Sequence, residues 1–341
     1  MAGKNKKVYS GIGGQAVLEG IMMKNKDKYS VAVRKSNGEI DVDIDEYTGI
    51  IKSSFWKKVP FVRGVLNFID SLVLGMRTLN HSAEFYEDEE AKETRFDKAL
   101  KKIFKGKTEK VLSGFVTVIS VIFALALFIA LPYFLTNLLT RQVRNETYVT
   151  MIEGIIRICI FLLYVILISL NGDIKRVYRY HGAEHKCINC IERGKPLTVE
   201  YVRNSSRFHK RCGTSFLLFV IIISVILFFF IKVDNHALRL VIRLLLVPVI
   251  AGIAYEILRL AGKYDNLFFN IISAPGFLVQ KITTKEPDDE MIEVAISAVE
   301  AVFDWKDFQK EAFGIDYEAK EKEAARADEL FENLKQGQAD S

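Results

Sequence analysis

Four long apolar blocks, with the charged residues gathered between them, constrain this chain more than any other feature. They run over about 111–139 (VLSGFVTVISVIFALALFIALPYFLTNLL), 151–170, 214–233 and 238–261. Each is long enough to cross roughly 30 Å of hydrocarbon as a helix of about 20 residues. Burying four such helices in water would demand an unusually large polar shell, so the expected fold is a predominantly α-helical integral membrane protein. It has about four transmembrane helices, a small N-terminal α+β cytosolic portion, and the lipid bilayer as its first partner. Charge adds little, with 47 Lys and Arg against 42 Asp and Glu, and no nucleic-acid partner is expected.

Orientation follows from the basic residues of the short loops. KKIFKGKTEK precedes the first block, and the loop from Gly172 to Cys212 holds ten Lys and Arg against four acids. The connections TRQVRNETYVT and KVDNHA are nearly balanced. An even number of spans then leaves both termini and the central loop in the cytoplasm of a multi-pass protein. The opening MAGKNKKVYSGIGG has no apolar core and does not read as a signal peptide. Of four cysteines, Cys187, Cys190 and Cys212 fall in that loop, where disulfides do not persist. Cys159 lies inside an apolar block and reads as a small core residue.

The expected organisation is a hairpin-containing segment at 1–54, an amphipathic helix and charged linker at 55–110, transmembrane helices at 111–171, the central loop at 172–212, further transmembrane helices at 213–262, and a cytosolic helical region with a tail at 263–341. In the first segment, β-branched runs flank Asn37-Gly38, the signal of a β-hairpin with a tight turn. Residues 61–79 repeat apolar positions at helical spacing, and three placements are open: on the spans or the membrane interface, re-entrant, or a fifth crossing. Residues 84–110 read as a solvated helix or linker, Pro287-Asp288-Asp289 as a helix start, and the mixed-charge end as a solvated helix that frays.

The chemistry concentrates in RYHGAEHKC, residues 179–187. His181 and His185, four apart on a helix, lie on one face with Glu184 beside them. In His-x-x-Glu-His the two imidazoles can hold zinc while the carboxylate serves as general base toward water. His209 and Cys212, at the far end of the same loop, are candidate further ligands. A second reading competes: Cys187-x-x-Cys190 with His209-x-x-Cys212 has the paired spacing of a closed structural zinc site. A solvated, ion-paired helix face is the third. Glu256 near the end of a span calls for a partner or a function: Arg259 one turn on could neutralise it, or it could serve a metal site at the membrane edge. Glu153 and Arg157, four apart, form an ion pair.

GGQAVLEGIMM, YRYHGAEHK, LTVEYVRNSSRFHKRCGTSF and TTKEPDDEMIEVAI resemble, in order, the signature blocks of the YqhQ family, bacterial multi-pass membrane proteins of unknown function described as predicted metal-dependent enzymes. The resemblance implies a bacterial cell-membrane location and functional positions at His181, Glu184, His185, Arg207, His209, Arg211, Cys212, Gln15 and Glu19. It does not call for Cys187 or Cys190, which favours the open site. Two functions are carried forward. In the first, a metal-dependent hydrolase acts on a membrane-associated substrate, with a divalent metal, zinc by preference, on His181, His185 and His209 or Cys212, protons handled by Glu184, and Arg207 and Arg211 facing an anionic substrate or lipid headgroup. In the second, a membrane scaffold or assembly factor uses the loop structurally, with a membrane-protein partner. Homo-oligomerisation is compatible with either.

Overall fold

The computed structural model describes residues 7–51, 55–85, 109–143, 145–231, 233, 235–317 and 319. The charged linker expected at 84–110 falls largely outside these residues, as does nearly all of the mixed-charge tail. The N-terminal part is an antiparallel meander of four strands in sequence order, β1 (Gly13–Val17), β2 (Gly20–Asn25), β3 (Lys28–Arg34) and β4 (Ile40–Glu46). Only the β3–β4 hairpin was expected. There the Gly38 amide closes a turn onto the Lys35 carbonyl (2.9 Å) with Gly38 at φ +89°. The two earlier turns, Leu18-Glu19 and Lys26-Asp27, carry no glycine; Glu19 and Lys26 take the left-handed conformation themselves. That chemistry is rare outside Gly, Asn and Asp, which is why the pattern missed them.

Strand alternation gives the sheet two buried faces. Val17, Met22, Val31 and Val33 pack with Leu74 of α1 (Val62–Glu84). Ile21, Met23 and Ala32 face the opposite way, onto α5 (Gly172–Ile191) and α10 (Asp289–Glu300). The Ser30 hydroxyl donates to the Ala298 carbonyl at 2.6 Å, and Asn25 to that of Val302 at 2.9 Å. The sheet near the N-terminus and the helices after residue 288 are thus one folded unit. Asp288 caps α10 through the Met291 amide, as its position in the sequence suggests.

Three helical stretches are long and apolar enough to cross a membrane: Gly114–Leu139, Thr147–Ile168 and Ala237–Lys263. In the first, α2 (Glu109–Leu125) continues through a π-turn (Ala126–Ala130) into α3 (Leu131–Leu139); the others are α4 (Glu146–Ile168) and α8 (His236–Lys263). The expected fourth span, 214–233, is shorter than expected and falls outside these three. It forms α7 (Gly213–Phe229), 17 residues ending just before the polar sequence KVDN, so it rises roughly 26 Å. Helix α1 is longer than its apolar repeat and lies on the apolar helices. Gly64 fits against Gly252 and Tyr255 of α8, and Phe68 meets Phe216 of α7, while its second half lies under the sheet. An additional amphipathic helix, α9 (Leu267–Thr283), crosses the start of α7, where Gly276 abuts Ser215.

Candidate metal centre

Helix α5 starts three residues after the end of α4, capped by Asn171, and its second half is buried between the sheet and α10. His181 and His185 lie on the side turned to the start of α7, their rings 4.4 Å apart. The Nδ1 of His181 lies 2.9 Å from the Thr283 carbonyl, and that of His185 lies 2.7 Å from the Arg207 carbonyl. A carbonyl only accepts, so each Nδ1 carries a proton, and Nε2 is the nitrogen left for a ligand once its own proton is displaced. Cys212, the residue before α7, puts Sγ 3.3 Å from His181 Nε2. One ligand atom from each of His181, His185 and Cys212 falls within 4.8 Å of the others.

The loop that delivers Arg207 and Cys212 is fixed from α5. Lys186 donates to the carbonyls of Arg203 and Ser205 (2.8 and 3.0 Å), and Asn189 to those of Ser206 and Phe208 (2.7 and 3.0 Å). From α9, the fully buried Gln280 clamps the His209 main chain, accepting from its amide at 2.9 Å and donating to its carbonyl at 2.8 Å. Gln280 and Thr283 were not foreseen. For Gln280 the available signal was a long polar side chain on the small-residue face of a largely apolar helix; Thr283 acts through its carbonyl and offered none. Gly182 lets the chain at Lys285 cross α5, since a Cβ there would collide with the Lys285 carbonyl oxygen.

Charge in the cluster is set by burial against close partners. Burial opposes charge on both members of the His181–Cys212 pair, yet each favours the other: His181 is pushed up to about 9, and Cys212 is held well below the thiol range by His181 and His185. Glu184 is raised by burial, against the pull of His185 and His181. A cavity of about 570 Å³ opens over these residues, bounded by Gly11–Gln15, the start of α7, and Asn67 and Tyr255 of α1 and α8.

His209 lines the same cavity but stands outside the converging group, its Nε2 at 3.4 Å from Arg211 and 3.7 Å from Glu192. Arg211 lines the cavity, binds Glu192 at 2.6 Å and stacks on Tyr9. Arg207 contributes its carbonyl, while its guanidinium turns to Thr284 and Glu286. Gln15 lines the cavity beside Gly75. Glu19 is held by Arg176 and by the Tyr180 hydroxyl (3.1 Å), positioning the β1–β2 turn on α5. Glu256 is bound bidentately by Arg63 at 2.6 Å, with Arg259 at 3.5 Å, and belongs to the α1–α8 contact.

Cys187 and Cys190 join no ligand cluster among the described residues. Cys187 is enclosed in the core under the sheet, and the Cys190 thiol donates to the Pro196 carbonyl at 3.2 Å. Burial pushes both thiols up, Cys190 to about 11, which disfavours the thiolate a metal needs. The closed four-ligand arrangement is therefore not assembled. Glu153 and Arg157 do pair (2.6 Å), with Arg243 of α8 as a second cation on the same carboxylate oxygen (2.7 Å).

Residues 59–305 match the family described as "Protein of unknown function (DUF1385)". The chain belongs to this family. It is similar to the uncharacterized protein YqhQ of Bacillus subtilis (strain 168), with 37% identity over 293 residues, covering 86% of this chain and 92% of the relative. No solved structure matches. DUF1385 membership brings no assigned reaction, so the functional reading rests on the geometry. The matched region contains all of α5, Cys212 and Thr283; β1, which walls the cavity, precedes it.

Proposed function

We propose that this chain is a multi-pass membrane protein that holds a divalent metal ion on His181, His185 and Cys212 and hydrolyses a membrane-associated substrate in the cleft above them. The observation that carries the reading is the pair of main-chain anchors. With both Nδ1 protons committed to the carbonyls of Thr283 and Arg207, Nε2 is the nitrogen each ring has left for an ion, and one ligand atom from each of His181, His185 and Cys212 lies within 4.8 Å of the others. Metal-binding histidines characteristically have their second nitrogen fixed in this way.

The donor set fits the group. Two imidazole nitrogens and a thiolate suit zinc, and three protein ligands leave a fourth position toward the cavity, the composition of a catalytic rather than a structural site. A bound ion would supply Lewis-acid polarisation of the substrate oxygen and make water acidic enough to attack near neutral pH. The chain's residues supply the rest. Glu184, three residues after His181 on the same helix, accepts the proton of the attacking water. Gly14, which has no Cβ, leaves room for the Glu184 side chain, and Arg211 puts positive charge on the cavity wall.

Membrane placement is supported by inside-out helices. In α9 the buried positions are Ser273, Gly276, Val279, Gln280 and Thr283, whereas Leu267, Phe268, Ile271 and Leu278 are exposed. Helix α1 buries Gly64, Gly75, Thr78 and Ser82 along with Leu74, and exposes Ile69, Leu72 and Val73. Lipid is the solvent that suits such faces. The sheet and α10 touch and so lie on one side of any bilayer, which requires an even number of crossings between them. Helix α7 supplies the fourth, its short length accommodated by local thinning. The basic loop supports a cytoplasmic location for that side.

The test is the metal content of the full chain purified in detergent, followed by hydrolysis with Glu184→Gln. The proposal expects stoichiometric metal in both proteins and turnover in the wild type alone. Turnover that survives Glu184→Gln, or a metal-free chain that is fully active, overturns it.

A further inference from the structure

One wall of the cleft is a strand with an unfilled edge. β1 is the first strand of the sheet, and its two-residue turn to β2 pairs Val17 with Gly20, Gln15 with Met22 and Gly13 with Lys24. In a hairpin of that length these are the hydrogen-bonded pairs, so the main-chain groups of the intervening residues, Gly14, Ala16 and Leu18, point away from the sheet. The Leu18 amide agrees with this alternation, donating to the Ser82 hydroxyl at 3.2 Å. Among the described residues, the Gly14 carbonyl and the amide and carbonyl of Ala16 have no hydrogen-bond partner.

Native proteins usually blunt such an edge with lysine, proline or a covering element. Here the edge row is Gly13-Gly14-Gln15-Ala16, with small or uncharged side chains, exposed at Gly13 and half-buried at the other three. It runs past the carboxylate of Glu184. Helix α5 lies beneath β1, and the absence of a side chain on Gly14 lets Glu184 reach round to the edge, where a Cβ would stand 3.0 Å from its Cγ.

We infer that the substrate is a polypeptide in extended conformation, which adds to the edge of β1 as a further antiparallel strand and so lays a peptide bond beside Glu184 and the His181–His185–Cys212 cluster. Strand addition of this kind takes its affinity from main-chain hydrogen bonds, and the five residues of β1 offer a template about 17 Å long. The inference rests on the hydrolase reading and gives it a substrate class. In the step itself, water adds its oxygen to the peptide carbonyl carbon and passes one proton to Glu184. The C–N bond then breaks as Glu184 hands that proton to the leaving nitrogen. The second proton of the water departs from the new carboxylic acid, leaving a carboxylate and an amine.

The test uses the full chain in nanodiscs of phosphatidylglycerol and phosphatidylcholine, carrying Glu184→Gln to prevent turnover, with reduced, carboxymethylated, fluorescein-labelled casein as the unfolded polypeptide probe. Metal content is measured on the same samples. Binding is expected to slow hydrogen exchange at the Ala16 amide, and adding Ala16→Pro is expected to weaken it at least tenfold. That proline removes an outward-pointing N–H, so the ladder to β2 stays intact. Adding Ala16→Ser instead, which keeps the N–H, is expected to bind as the parent does. Should the proline variant fail to fold, protection of Ala16 in the parent decides alone. Casein binding without protection of Ala16, undiminished binding to a folded proline variant, or no binding while the same nanodisc lipids are hydrolysed by the wild type would each overturn the inference. Protection of Ala16 in a chain that holds no metal would sink the hydrolase reading and leave the docking intact; metal without protection does the reverse.

Discussion

Gly14 packs directly against the side chain of Glu184, and the contact depends on glycine. A Cβ at position 14 would meet the Met22 carbonyl oxygen at 2.6 Å and Glu184 Cγ at 3.0 Å. Gly14→Ala should displace the carboxylate without touching His181, His185 or Cys212. Turnover of unfolded casein is expected to fall roughly a hundredfold, the scale of a misplaced general base, with metal content unchanged. Loss of metal in parallel with activity would show that Gly14 supports the whole cluster rather than Glu184.

Gly182 answers a different need. It lets the 284–287 segment cross α5 with the Lys285 amide on the Tyr178 carbonyl at 2.8 Å, and that crossing holds Thr283 against His181. Gly182→Ala collides with backbone, which cannot rotate away as a side chain could. It is expected to destabilise the protein by about 1–3 kcal/mol and to weaken metal binding. Thermal unfolding and a metal-competition titration measure the two effects; an unchanged metal affinity would contradict the link.

The Glu153 carboxylate is shared by Arg157 and Arg243, all at most 5% exposed, among α3, α4, α7 and α8. Arg157 also donates to the Phe128 carbonyl and Ser224, and both guanidinium groups lie over Phe228. Removing the acid leaves two buried cations facing each other. Glu153→Gln is expected to cost about 3–5 kcal/mol, read as the unfolding midpoint in detergent, while Ser224→Ala should cost at most about 1 kcal/mol. Equal effects would mean that the triad is not what joins these helices.

Protonation gives a further signature. Burial holds His209 down to about 3, with Glu192 pulling against it and Arg211 and Lys7 assisting. The unfolded residue takes up its proton near 6.5, so between 6.5 and 3 the unfolded state binds more protons and stability falls with pH. From pH 7 to pH 5 this amounts to roughly 2 kcal/mol. Denaturant titrations of wild type and His209→Gln at the two pH values should show the wild type losing that much more than the variant; parallel losses would contradict it.

Legibility divided along physical lines. The apolar blocks were visible because lipid-length helices need continuous hydrophobicity, and His181, Glu184 and His185 because a four-residue spacing puts them on one helix face. Cys212 was in view only as one of two candidates, since spacing alone could not separate it from His209. The choice is made by Gln280, which clamps the His209 main chain, and by Glu192 and Arg211, which hold its ring. Thr283 and Arg207 act through carbonyl oxygens, which every residue carries, so no side-chain pattern could announce them. The β1–β2 and β2–β3 turns were hidden because Glu19 and Lys26 occupy positions where glycine usually signals the bend. Cys187-x-x-Cys190 was misleading for the opposite reason: a ligand spacing on a helix buried in an apolar core.

The measurement closest to the central claim is metal content, by elemental analysis of the full chain purified without added metal, compared with His181→Ala, His185→Ala, Cys212→Ser and His209→Gln. The account predicts about one divalent ion per wild-type chain, lost or strongly reduced in the first three variants and retained in His209→Gln, with two nitrogen and one sulfur ligands at about 2.0–2.3 Å by X-ray absorption. A wild-type chain without stoichiometric metal, or one whose occupancy is the same in His181→Ala and His185→Ala, would contradict it.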